Sequence, residues 1–234
     1  MYIKKFFIFI IAITFFSGCI EYEETLRILP NGWIRGEISL NAPDTFFKQM
    51  TENDKYKIFQ YMVMPRQEVI KNMPKAMKIQ EWYMERRGVN WSFHANFYLK
   101  GSNAIDNMSD LLPGQKITVS MNNGKIRIKR FIDLTDLGKL IATKIENPFF
   151  RKQLLLTSVF KYKIIVPTKI DSSNATKQST KEAEWKFKLL DMAAAPQIMK
   201  ITFETPPFYY FPIFWLILGF ILVILYVVVL LKKL

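Results

Sequence analysis

From Val89 to Leu99 the chain alternates strictly: Val89, Trp91, Phe93, Ala95, Phe97 and Leu99 are separated by Asn90, Ser92, His94, Asn96 and Tyr98. A period of two sends successive side chains to opposite faces, so the stretch reads as a strand with one face buried. Such a strand needs neighbours on its edges and a layer over its apolar face. Lys78 to Arg86 is placed to pair with it through Arg87-Gly88.

The rest of the middle region reads the same way. Tyr22 to Leu29 and Trp33 to Leu40 are strand-like and joined by Pro30-Asn31-Gly32, a hairpin signal. Lys116 to Met121 and Lys125 to Ile132 form a second hairpin around Asn122-Asn123-Gly124. Phe160, Tyr162, Ile164 and Val166 mark a strand stopped at Pro167, Ala183 to Leu189 alternates again, and Met199 to Phe203 is a last strand. Helices are expected at Asp44 to Met50, Asp54 to Met64 and Asn103 to Leu112, and over Leu134 to Glu146, where Leu137, Leu140, Ile141 and Ile145 share one side. Ser172 to Thr180 reads as a polar loop. The expected class is α+β: antiparallel β-hairpins forming a curved sheet packed on helices, with about eight or nine strands. The inward aromatics fit either a thick core or a cavity inside that sheet.

Half of the residues are hydrophobic while the net charge is +13. That combination is unusual in one well-mixed globule and points to concentrated apolar segments. The first is at the N-terminus. Lys4 and Lys5 precede an uncharged run from Phe6 to Phe16, then Ser17, Gly18 and the single cysteine, Cys19. A short apolar run ending in small residues is a secretory signal, too short to span a bilayer. Small residues before cysteine resemble the bacterial lipobox, which implies cleavage between Gly18 and Cys19 and a diacylglycerol on the thiol. Phe16 departs from the usual leucine, and an uncleaved anchor is the alternative.

The second segment closes the chain. No charge occurs from Thr205 to Leu231, and Ile213 to Leu231 as a helix would cover about 28 Å, a bilayer's hydrocarbon thickness. Phe208 to Phe211 and Trp215 read as an aromatic belt, with Lys232 and Lys233 beyond. The expectation is three segments: a signal peptide over 1–19, an exported domain over 20–205, and a transmembrane helix over 206–234. Lysines at both ends place both termini inside and the domain outside a bacterial cytoplasmic membrane, with the bilayer as partner.

Residues 20–205 keep 29 basic against 20 acidic side chains. A domain near anionic headgroups would have this excess; a composition rich in Lys, Ile, Phe and Asn accounts for it equally. Nucleic acid is excluded as partner by the exported location and by the lack of any recognition pattern. One cysteine and one histidine argue against a metal centre, and no cofactor is expected. No GxSxG, GxxxxGK[ST], HExxH or CxxC motif occurs, so no catalytic residue is assigned. His94 falls on the polar side of its strand. Glu21, Glu23 and Glu24 read as a solvated acidic rim, Asp133 and Asp136 as capping residues, and Asp171 to Asn174 as turn chemistry.

Two stretches resemble the LppM-type lipoprotein domain: Thr25-Leu26-Arg27-Ile28-Leu29-Pro30-Asn31-Gly32, and Ile164-Ile165-Val166-Pro167 through Ser173-Asn174-Ala175 to Trp185-Lys186-Phe187. The resemblance implies an α+β fold and envelope lipid or glycolipid binding, and transfers no binding residue. Three readings follow in order: a non-enzymatic tethered module for envelope lipid or glycolipid, an assembly partner of an unknown envelope protein, and an enzyme.

Overall fold

A computed structural model describes residues 19–48, 77–99 and 115–206. The strands and helices in chain order are β1 (Glu21–Ile28), β2 (Ile34–Pro43), α1 (Asp44–Lys48), β3 (Met77–Arg87), β4 (Asn90–Leu99), β5 (Gln115–Asn122), β6 (Lys125–Ile132), α2 (Thr135–Lys144), α3 (Pro148–Thr157), β7 (Val159–Ile165), β8 (Ile170–Ser173), β9 (Lys177–Gln178), β10 (Glu182–Lys188), α4 (Leu189–Ala194) and β11 (Gln197–Glu204).

The strands form two sheets, one in the order β3-β4-β2-β1-β7-β10-β9 and one in the order β5-β6-β11-β8. All three expected hairpins form: β1–β2, β3–β4 and β5–β6 pair antiparallel in unbroken or once-bulged register. The β5–β6 turn holds Asn123 at φ 50° and Gly124 at φ 71°, the left-handed pair that a two-residue hairpin needs. In the β2–β4 register Gly36 lies opposite Phe97. The Phe97 ring fills the place of the missing side chain, with its Cζ 2.0 Å from where a Cβ would stand.

The expected fold class needs correction. The described chain is mostly β, with two sheets rather than one, and its helices are only 5, 10, 10 and 6 residues long. Segments so short cover little sheet. The inner face of the large sheet instead meets the small sheet, because β5, β6 and β11 each alternate and can bury only one face. Nor is the large sheet made of hairpins alone. Its centre is β1 against β7 in parallel, joining residues far apart in sequence. No helix among the described residues is long and apolar enough to cross a membrane. The transmembrane helix expected over 206–234 falls, apart from Pro206, outside those residues, as do the helices expected at 54–64 and 103–112.

Local departures have local causes. The stretch 172–180 contributes β8 and β9 instead of a loop, because edge strands bond through their backbones and need no apolar alternation. Helix α3 lies outside the expected helices but has the usual helix start: Asn147 accepts from the backbone N–H of Phe149 and Phe150 at 3.0 and 3.1 Å, and Pro148 occupies the first turn. Helix α4 packs on α2, where a Cβ on Gly138 would stand 2.4 Å from Ala193 Cβ.

Candidate functional site

An ion pair lies between the two sheets. On β1 the inner face reads Tyr22, Glu24, Leu26, Ile28; on β6 it reads Ile126, Ile128, Arg130, Ile132. Each sheet thus sends one charged residue into an apolar row. Glu24 and Arg130 are each 1% exposed. Arg130 donates from Nη1 to Glu24 Oε1 and from Nη2 to Oε2, both at 2.7 Å. Tyr22 Oη donates to Glu24 Oε2 at 2.8 Å, and Arg130 Nε donates to Gln115 Oε1 at 2.8 Å. The guanidinium lies 5.0 Å from the centre of the Tyr162 ring. Burial raises the Tyr22 phenol well above its ordinary range, helped by the Glu24 charge, and burial likewise raises Tyr162 against the lowering effect of Arg130. Burial works against the Arg130 charge, but Glu24 outweighs it and the guanidinium is held more firmly protonated.

This cluster is sealed. The neighbouring void, lined by Leu26, Ile28, Ile34, Ile117, Ile128, Arg130 and Ile164, measures about 10 Å³, room for one water at most. Around the ion pair the described interior is therefore filled. The ion pair joins the two sheets. Glu24 does not belong to the expected solvated rim; of the three acidic residues only Glu21 and Glu23 are exposed. Period two carried the missing signal, since Glu24 shares parity with Tyr22, Leu26 and Ile28.

A second tie between the sheets runs through Asn174, just beyond β8. Its Oδ1 accepts from Lys200 N at 2.7 Å and from Trp185 Nε1 at 2.9 Å, while its Nδ2 donates to Ile198 O at 2.8 Å. Trp185 belongs to β10 in the large sheet, and Ile198 and Lys200 to β11 in the small one. Asn174→Ala should cost about 1–3 kcal/mol, because the indole N–H of a nearly buried tryptophan loses its acceptor. Denaturant unfolding measures it; a change below about 0.5 kcal/mol, the usual effect of a surface substitution, would show that water replaces the amide.

Two open grooves lie on the outer faces of the described sheets. A groove of about 200 Å³ on the large sheet is lined by Glu21, Glu23, Ser39, Asn41, Lys161 and Lys186 among others, with Lys161 bonded to Glu23 at 2.7 Å. A larger groove of about 550 Å³ on the small sheet is lined by Arg127, Lys129, Ser172, Ser173, Asn174, Lys200 and Thr202. The first is charge-matched and the second purely cationic.

The remaining expected residues are dispersed. Cys19 is half-buried immediately before β1, and burial, then the Glu21 charge, raises its thiol. Gly18, Ile213, Trp215, Leu231, Lys232 and Lys233 lie outside the described residues. His94 is half-buried, 3.8 Å from Glu81 and packed on Tyr83 with ring centres 5.2 Å apart. Asp133 Oδ1 accepts from Thr135 N and Oγ1 at 3.0 and 2.7 Å, and these bonds lower its pKa. Asp136 pairs with Lys139 at 2.8 Å. Asp171 begins no turn; it pairs with Lys125 at 2.6 Å from within β8. No group of three or more His, Cys, Asp or Glu among the described residues is arranged to hold a metal ion.

The class defined by these features is a two-sheet β domain with a packed interior. No family model matches the chain, and no curated protein matches it. Among solved structures it is similar to the folded domain of LppM from Mycobacterium tuberculosis, determined by NMR, with 11% identity, 82% of this chain and 93% of that one covered, and a TM-score of 0.47. It is also similar to yeast LTA4 hydrolase in complex with bestatin, with 10% identity and a TM-score of 0.34; that likeness covers 80% of this chain and 28% of the hydrolase.

Proposed function

We propose that the chain is a non-enzymatic cell-envelope lipoprotein, held at the outer surface of a bacterial cytoplasmic membrane through a lipid on Cys19, and that it binds envelope lipid or glycolipid. One observation carries this reading. The residue after Cys19 is already locked into the fold: Ile20 is fully buried, its N–H donates to Ser158 Oγ at 2.8 Å, and its carbonyl accepts from Val159 N at 2.9 Å. A lipidated Cys19 would hold the β domain against the bilayer with no linker between. Each buried methylene of such a lipid adds about 0.8 kcal/mol of membrane affinity. The space beside the ion pair is too small for a lipid, and the open grooves lie on the outer faces, so lipid binding there is an affair of headgroups at a surface.

Metabolic labelling with a clickable fatty acid tests the anchor. Wild-type chain should be labelled and Cys19→Ala should lose the label; equal labelling of both removes the anchor from Cys19. Mass spectrometry of the purified full chain then asks which lipid it retains. Exposed Tyr83, Met84 and Val89 on the β3–β4 hairpin favour a second reading, assembly with another envelope protein, which crosslinking from that hairpin would reveal.

A further inference from the structure

The outer face of the small sheet carries an unmatched row of cations. Lys129 on β6 stands directly opposite Lys200 on β11, and both are exposed. Like charges across an antiparallel pair repel. Arg127, two residues earlier on β6 and on the same face, extends the row. Among the residues lining the groove around them there is no carboxylate. On the large sheet the outer lysines are treated differently: Lys161 meets Glu23 at 2.7 Å and Lys163 meets Glu182 at 2.9 Å. At one end of the small sheet Lys125 is matched too, by Asp171 at 2.6 Å and by Glu204 opposite it; the open charges are Arg127, Lys129 and Lys200 further along.

Apolar side chains adjoin the row. Ile198 stands opposite Phe131 in the β6–β11 register, one step along the same face from Lys129 and Lys200, and Ile198 is 38% exposed. Cations beside exposed apolar side chains suit an anionic bilayer, whose phosphates take the charges while the apolar groups enter the headgroup boundary. A soluble anion would satisfy the cations and leave Ile198 in water. From this juxtaposition we propose that the outer face of the β5-β6-β11-β8 sheet is a docking surface for anionic lipid, with Arg127, Lys129 and Lys200 on headgroup phosphates. The proposal rests on the reading of a membrane-held, lipid-binding domain and names the face it uses.

The test reconstitutes the full chain into vesicles of phosphatidylcholine alone or mixed with phosphatidylglycerol. A water-soluble acetylating reagent is applied, and each lysine is read by mass spectrometry. Lys129 and Lys200 should react about fivefold more slowly in the anionic vesicles, Lys186 and Lys188 should not change, and high salt should remove the difference. Each basic side chain raises the surface population about fivefold. The variant carrying Arg127→Gln, Lys129→Gln and Lys200→Gln should therefore lower it about a hundredfold, read by energy transfer from the tryptophans to a labelled lipid. These exposed positions leave the core unchanged, and circular dichroism confirms folding. Equal lysine reactivity in both vesicles overturns the proposal. Protection by inorganic phosphate in neutral vesicles assigns a soluble anion and overturns it too. A lipid retained by the full chain with Lys129 and Lys200 unprotected defeats this face alone, whereas protected lysines without Cys19 labelling support this face and defeat the Cys19 anchor.

Discussion

Arg130→Ala lowers folding stability by about 3–5 kcal/mol, the range for removing one partner of a buried ion pair. Glu24 is 1% exposed, and it would keep Tyr22 as donor while losing both bonds from the guanidinium. Leaving a carboxylate in an apolar row costs far more than the lost contact itself. The double variant Glu24→Leu with Arg130→Met tests the cause, because it removes both charges and refills the row with apolar volume. It should regain most of the loss, as buried pairs often contribute little net stability against an apolar replacement. The readout is the denaturant midpoint at constant slope. An Arg130→Ala loss below about 1 kcal/mol would mean that water reaches Glu24 and that the sheets part there easily.

Raising the pH above about 10 should unfold the domain steeply. Tyr22 and Tyr162 are both raised in the folded state, chiefly by burial, while in the unfolded chain a tyrosine titrates near pH 10. Below that pH both states hold the protons, and stability does not depend on these groups. Above it the unfolded state releases two protons that the folded state keeps. Stability then falls by about 2.7 kcal/mol per pH unit, two protons at about 1.4 each. The lysines held by Glu23 and Glu182 are shifted upward as well and act in the same direction. Unfolding followed by tyrosinate absorbance separates the phenols from the lysines. Tyr162→Phe should remove one proton from the slope. A pH-independent midpoint between about pH 9 and 11 would show that the phenols reach solvent without unfolding.

Much of the fold was legible in local pattern. The alternation from Val89 to Leu99 fixed one buried face, and Asn123-Gly124 dictated a hairpin of known register. Leu134 to Glu146 contains α2 within two residues at either end because its apolar spacing follows the helical period. The candidate site was half legible. Glu24 and Arg130 each interrupt an apolar row, and parity alone places both inside. Their pairing was not legible, since nothing local relates residues that far apart.

What the sequence by itself determined is the local layer: strand faces, turns and helix starts, all set by interactions within a few residues. Only the tertiary structure decided that β1 pairs in parallel with β7, that Glu24 of one sheet meets Arg130 of the other, and that Lys129 stands against Lys200. Those outcomes come from apolar faces finding partners across the chain, and many pairings of alternating strands satisfy the same one-dimensional pattern. Charge shows the difference most clearly: the basic excess is visible in composition, but its gathering into one unmatched row depends on which strands become neighbours.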